Sequence, residues 1–468
     1  MPRCKRILLL LAGVVGLFSL GVSQSVIVNS ITISGMKRTR PAIVFRELTF
    51  AKGDTLLQMD LGPTMERNQN NLLNLGIFNE VIVNVSEWDT ERHLIDVTIE
   101  LTESWYIYAV PILELADRNF NVWWTTYNHD LDRLNLGARL DMLNFSGRND
   151  KFKAKFQFGY TPKQEIEYRF PYFNRRQSLG LTIGGLHSIN KEISYATINN
   201  EEQFIQLDER KLLERWKGEV NTFYRPNLFL KYELSLAWQS YQVDEEVVAD
   251  YNETYFRHGG TEHNVLISRF AAEYDDRDLK IYPAQGIKAQ IELEKSGLGP
   301  KDDENSFLSN AGVEINFVSG RRFQHRFSVQ GQYSFSRMQP SYLYYHGLGY
   351  GQNFIRGYEL YVVDGLDVAI GKYQLAYKLF EKKINWGRRM PVPQFKEMPL
   401  HVYLSVFAET GYVQDPFTGF RNPLANQWLY GGGPGLDIVL YNNFLFQFNV
   451  STNHLHEWGF FIHNKTSF

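Results

Sequence analysis

From Trp105 onward, hydrophobic and polar positions alternate with a period of two. Phe152, Ala154, Phe156, Phe158 and Tyr160 interleave with Lys153, Lys155, Gln157 and Gly159. Ile287, Ala289, Ile291 and Leu293 interleave with Lys288, Gln290, Glu292 and Glu294, and Phe444, Phe446, Phe448 and Val450 with Leu445, Gln447, Asn449 and Ser451. One face of each strand is polar or charged and the other is rich in aromatics, as lipid on one side and water on the other require. After a first segment near 105–127, such runs fall at 134–146, 149–161, 164–176, 177–190, 214–227, 228–243, 262–278 and 286–297. They continue at 307–321, 322–336, 371–383, 400–413, 428–442, 444–455 and 459–468. That makes about sixteen strands, an even number that leaves both barrel ends on the periplasmic side. The long polar links 191–213, 244–261 and 337–370 fall on alternate connections, where extracellular loops belong. The pattern predicts an antiparallel transmembrane β-barrel over residues 104–468.

Residues 24–103 follow a different rhythm. Val26 to Ser34 reads as a strand with Ile31 and Ile33 on one face. Thr39 is placed to cap a short helix from Arg40 to Leu48, with Pro41 tolerated in its first turn. A Lys52-Gly53-Asp54 turn follows, then a second helix from Pro63 to Asn74 with Gly76 suited to its C-terminal cap. Val81, Val83 and Val85, then Ile95, Val97, Ile99 and Leu101, mark two alternating strands. The expected unit is a small α+β domain of order β-α-α-β-β, with helices on one face of a sheet.

The N-terminus sets the compartment. Arg3, Lys5 and Arg6 precede an apolar stretch from Ile7 to Leu20, and Gly21-Val22-Ser23 offers small residues for cleavage. A signal peptide over 1–23 is expected, with the mature chain starting near Gln24. Cys4, the only cysteine, lies before the apolar run, so the mature chain would have no thiol for a disulfide, a metal site or a nucleophile. The formal charge of −3 falls to −6 once the three leader cations are removed, and no basic stripe points to nucleic acid. Beyond the leader there is no apolar run long enough for a membrane helix. Aromatics nevertheless reach 15%. A mean hydropathy of −0.33 is compatible with a barrel, because only alternate side chains meet lipid.

No motif argues for catalysis or a cofactor. There is no Gly-x-Ser-x-Gly elbow, and Gly431-Gly432-Gly433-Pro434-Gly435 lacks the Lys-Ser/Thr of a phosphate loop and suits a bend or close packing instead. Asp276-Arg277-Asp278, with Pro283 and Gly286, reads as a periplasmic turn rather than a Ca²⁺ site. His454 and His456 have no third metal ligand in view.

Three segments carry a family resemblance. The domain order and Leu75-Gly76-Ile77-Phe78-Asn79-Glu80-Val81 resemble a POTRA domain, a periplasmic module that binds extended polypeptide at a sheet edge. That resemblance makes Val81, Val83 and Val85 the candidate substrate edge. The chain's last strand puts Phe460, Ile462, Thr466 and Phe468 on one face, resembling the C-terminal signal read during barrel assembly. Gly347-Leu348-Gly349-Tyr350-Gly351-Gln352-Asn353-Phe354-Ile355-Arg356-Gly357-Tyr358, in a long loop with five strands still to come, resembles the BamA/TamA superfamily of bacterial surface-antigen barrels.

In that superfamily a loop with an Arg-Gly-aromatic tip folds back into the lumen. The resemblance implies that Arg356, Gly357 and Tyr358 form such a tip, and that Arg356 pairs with an inward acid. Glu409 in Phe407-Ala408-Glu409-Thr410-Gly411 matches it, while Gln374 stands where the family often has a second acid. Val402, Leu404, Val406 and Ala408 would then face lipid. The implied localisation is the outer membrane of a Gram-negative bacterium. The implied function is assembly or insertion of outer-membrane proteins, or polypeptide translocation, through a mobile seam between the segment near Trp105–Tyr127 and Gly459–Phe468. The expected partners are unfolded outer-membrane or secreted polypeptides, the lipid bilayer and accessory periplasmic or lipoprotein subunits. One POTRA-like domain, where general assembly machines often have more, suggests a specialised factor. The alternatives are a passive pore or binding protein, and a dedicated two-partner-type exporter.

Overall fold

The computed structural model describes residues 24–115, 123–124, 128–208, 210–257, 259–299, 302–351, 353–417 and 421–466. The leader at 1–23 and Phe468 lie outside the described residues.

The N-terminal domain runs β1 (Ser25–Ser34), α1 (Pro41–Glu47), β2 (Thr55–Leu57), α2 (Leu61–Leu73), β3 (Phe78–Asp89) and β4 (Leu94–Glu103). Its sheet has the order β2-β1-β4-β3, with β1 and β4 parallel at the centre. Two sequence expectations are corrected. A short strand, β2, stands between the helices, too brief to register as an alternating pattern. Thr39 does not cap α1: its hydroxyl meets Tyr106 Oη at 3.2 Å and accepts from Asn144 Nδ2 at 2.9 Å. The backbone N–H of Thr39 instead donates to the Glu103 carboxylate at 2.8 Å. A bulge between Val28 and Ser30 explains how Val26 and Val28, then Ile31 and Ile33, all turn to the same core despite their odd spacing. Gly76 ends α2 at φ +71°, with its N–H on the Leu73 carbonyl at 3.0 Å.

The barrel begins with β5 (Ile107–Leu115), β6 (Leu134–Leu143), β7 (Lys151–Gly159), β8 (Lys163–Phe170) and β9 (Leu179–Asn190). A separate hairpin, β10 (Glu192–Ile198) and β11 (Glu201–Gln206), rises from the next loop. The wall resumes with β12 (Leu213–Tyr224), β13 (Leu230–Val243), β14 (Glu262–Asp275), β15 (Gly286–Ser296), β16 (Ser306–Ser319) and β17 (Phe323–Ser334). It ends with β18 (Asp367–Asn385), β19 (Glu397–Gln414), β20 (Trp428–Leu440), β21 (Phe444–Asn453) and β22 (Trp458–Thr466). Sixteen of these form one sheet in sequential antiparallel order, one for each run of alternating residues in the sequence. Apolar side chains on the outer face stand exposed, as contact with hydrocarbon requires: Phe158, Val329 and Ile462 are 61%, 66% and 59% exposed.

The N-terminal domain sits against the turns on the expected periplasmic side. Arg225, between β12 and β13, forks onto the buried Glu47 of α1 with Nη1–Oε1 at 2.7 Å and Nη2–Oε2 at 2.9 Å. Arg46 stacks over the Tyr172 ring at 4.2 Å. Asn74, at the end of α2, donates to the Asp278 carbonyl at 2.7 Å and accepts from the Lys280 N–H at 2.9 Å. Asn79 donates to the Gln394 carbonyl at 2.6 Å, and Lys383 pairs with Glu80 at 2.8 Å. Contacts spread over this many turns fix the domain's orientation under the barrel mouth.

Candidate functional site

The loop at 335–366, between β17 and β18, enters the lumen. Leu348 and Val363 tie its two limbs together with reciprocal backbone hydrogen bonds of 2.8 Å. At the tip, Arg356 is 7% exposed and Glu409, on β19, is 4% exposed. The guanidinium donates from Nε to Glu409 Oε1 at 2.6 Å, and the Arg356 backbone N–H donates to Oε2 at 2.9 Å. Its Cζ lies 3.5 Å from the centre of the Phe407 ring. Lys372 approaches the same carboxylate at 3.9 Å. Removing one member of such a buried pair costs about 3–5 kcal/mol.

Gly357 and Tyr358 complete the tip. Gly357 adopts φ +99°, where a side chain would be strained, and its carbonyl accepts from Asn453 Nδ2 at 2.8 Å. Tyr358 is buried; its hydroxyl donates to the Tyr430 carbonyl at 3.1 Å and also meets the His454 ring. His454 thus serves the loop tip. The loop lies against β20 because Gly431 has no side chain: a Cβ there would fall 2.0 Å from the Arg356 carbonyl oxygen.

Gln374, on β18, extends the network. Its Oε1 lies 3.5 Å from Arg356 Nη2, and its Nε2 donates to Asp437 Oδ2 at 2.7 Å. Asp437, on β20, is fully buried and also accepts from Tyr282 Oη at 2.7 Å and Gln447 Nε2 at 3.0 Å. A second acid is therefore present, but it reaches Arg356 only through Gln374. Sequence reasoning missed Tyr282 and Asp437. Tyr282 comes from the turn 276–285, where Asp278 Oδ1 accepts the N–H groups of Leu279, Ala284 and Gln285 at 2.8, 2.9 and 3.2 Å. That turn folds inward with Ile281 and Tyr282 packed against Tyr403, Val439 and Leu445. The available signal was an apolar pair, Ile281-Tyr282, inside a turn otherwise fit for water.

Along β19, Tyr403, Ser405, Phe407 and Glu409 point into the barrel, while Leu404, Val406 and Ala408 are exposed on its outside. Val402, expected on lipid, is instead buried, beside the point where the β18–β19 register slips between Lys378 and Phe380. Val81 and Val83 are buried in the domain core and Val85 is half-buried, so these side chains hold the helices. Their strand, β3, is an edge of the sheet with no strand on its outer side among the described residues.

Among the described residues the strand order runs from β5 to β22 without closing. β5 pairs with β6 and β22 with β21, and no ladder joins β5 to β22 among the described residues. Pro111, within β5, lacks a backbone donor, which an edge strand tolerates. On β22, Phe460, Ile462 and Thr466 share an exposed face beside this seam.

Comparison with known proteins places this arrangement. The POTRA model, described as surface antigen variable number repeat, matches residues 26–104. The Omp85 superfamily domain model matches residues 144–450, more than half of the chain. The chain belongs to the Omp85 superfamily. It is an outer-membrane barrel with its POTRA domain in the periplasm. Among solved structures, BamA from Haemophilus ducreyi lacking POTRA domains 1–3 superposes with a TM-score of 0.52 at 12% identity, covering 94% of this chain and 84% of that one. CdiB from Acinetobacter baumannii gives 0.49 at 12% identity, covering 94% and 74%. CdiB from Escherichia coli gives 0.48 at 10% identity, covering 95% and 91%. No curated relative matches the sequence.

Proposed function

We propose that this Omp85 protein inserts outer-membrane proteins or translocates polypeptides, using the β5–β22 seam as its working edge. One observation carries the reading: a sixteen-stranded sheet in which the first and last strands have no ladder between them among the described residues. An unpaired backbone group in hydrocarbon costs several kcal/mol. A nascent strand that meets an open edge satisfies those groups one strand at a time, so folding of the substrate supplies the driving force. The exposed edge of β3 receives the same polypeptide in extended form by strand addition. Its contacts are backbone hydrogen bonds, which suits a sequence-tolerant receptor. The latch of Arg356 and Glu409 holds the lumen loop in place while the wall opens. Omp85 members are transport and assembly factors, and no covalent step is proposed for this chain.

The test is photo-crosslinking from residues of β22 and from Ile82 and Asn84 on β3 during cargo synthesis, combined with depletion of the protein. Crosslinks to nascent chains and a general loss of outer-membrane barrels support insertion. Crosslinks with loss of one secreted protein support dedicated export. No crosslinks and no loss leave the passive pore or binding protein as the correct reading.

A further inference from the structure

Beneath the loop tip the lumen widens into a cavity of 490 Å³. Six cationic side chains line it, Arg277, Lys288, Arg326, Arg356, Lys372 and Lys465, against two carboxylates, Glu314 and Glu409. Four of the cations have acidic partners. Arg356 and Lys372 share Glu409 at 2.6 and 3.9 Å. Arg277 divides itself between Asp275 at 2.8 Å and Glu314 at 3.0 Å, and Lys288 turns to Glu273 at 3.0 Å. Arg326 and Lys465 make no ion pair within 4 Å among the described residues, although Glu314 acts on both at longer range. Arg326 donates to the amide oxygen of Asn316 at 3.2 Å and lies 4.8 Å from the Tyr282 ring. Lys465 makes one hydrogen bond among the described residues, to the Lys280 carbonyl at 3.5 Å.

A neighbouring cavity of 360 Å³ has the opposite sign, with Glu233, Glu273 and Glu292 on its wall against Lys231. The positive charge is therefore concentrated at one level of the lumen. Like charges gathered in a cleft with low-dielectric walls focus the field and draw in a counter-ion. A guanidinium fork and an ammonium with free donors match the oxygens of a tetrahedral anion.

We infer that this cavity is an oxyanion-binding site for a phosphate-class ligand, held chiefly by Arg326 and Lys465. Lys465 stands on β22, the strand at the seam, so the same cations are reachable by a lipid phosphate entering laterally and by a free phosphate entering from the periplasm.

The test uses the full-length protein in detergent, folded as judged by its heat-dependent shift on a gel. One arm titrates inorganic phosphate calorimetrically at low ionic strength; the other measures phosphorus extracted by organic solvent from the washed protein. Saturable phosphate heat identifies a free anion, and extractable phosphorus held in fixed proportion to protein identifies a lipid headgroup. Either signal should weaken about tenfold in Arg326→Gln/Lys465→Gln and persist in Lys231→Gln, which alters the acidic cavity. If the double variant does not fold, Arg326→Lys/Lys465→Arg keeps both charges and should retain the signal. Absence of both signals in the wild-type protein, or equal signals in wild type and the double glutamine variant, overturns the inference.

Discussion

Glu409 takes Arg356 by both its side chain and its main chain, the guanidinium on one carboxylate oxygen and the backbone N–H on the other. A single acid therefore fixes both the charge and the path of the loop tip. Glu409→Ala strands a cation in the lumen and should cost about 3–5 kcal/mol. Arg356→Ala/Glu409→Ala should be no worse than Glu409→Ala alone, because one of the two cations left without a carboxylate is gone and only Lys372 remains. Protease nicking within 335–366 on folded barrels reads both effects.

Gly431 should be intolerant of the smallest side chain. Gly431→Ala places a Cβ 2.0 Å from the Arg356 carbonyl oxygen, so the tip must lift and Tyr358 must leave its carbonyl partner. Gly218, on β12, has nothing within 4 Å of such a Cβ. Gly218→Ala should leave the protease pattern unchanged, while Gly431→Ala should expose the loop.

The α1 contact of the POTRA domain should loosen in acid. Burial alone would push the Glu47 carboxyl up, but Arg225 and then Arg46 outweigh it and hold it below its ordinary value of 4.5. The docked state keeps Glu47 ionised to lower pH than the undocked state does. Its contribution is therefore complete above pH 4.5 and is lost as the pH falls further, through the docked value. A distance probe between α1 and the 225–229 turn should report no change from neutral pH down to the ordinary carboxyl value of 4.5, and separation only as the pH falls below it. Glu47→Gln should separate the pair at every pH.

The sixteen wall strands were legible because the bilayer imposes alternation wherever a strand crosses it. The periplasmic ends of β18 and β19 were not. From Lys378 to Asn385, β18 runs on after its ladder with β17 has ended, and its last rungs, Lys383 to Asn385, pair with β19 residues that have also left β20, so no regular alternation marks them. Arg356 and Glu409 could be matched through the resemblance of their local motifs. Tyr282 and Asp437 could not, since they meet across the lumen from strands and turns 155 residues apart. Val402 was misplaced for a related reason: a register slip on the neighbouring strand leaves no mark on its own alternation.

That hidden cluster makes a prediction of its own. Tyr282→Phe removes one donor from Asp437 but leaves Gln374 and Gln447 on it, so the loss should be about 1.5–3 kcal/mol. Asp437→Ala leaves three donors facing a fully buried site and should cost more. Urea titration of barrel unfolding ranks the two variants.

Locking the seam tests its role in cargo handling. With Cys4 replaced by Ser, pairs of cysteines are placed along Ile107–Leu115 and along Trp458–Thr466 and oxidised in the membrane. With the β5–β22 seam as the working edge, cross-strand disulfides stop cargo insertion or export and reduction restores it. Undiminished activity with the two strands covalently joined would contradict that role.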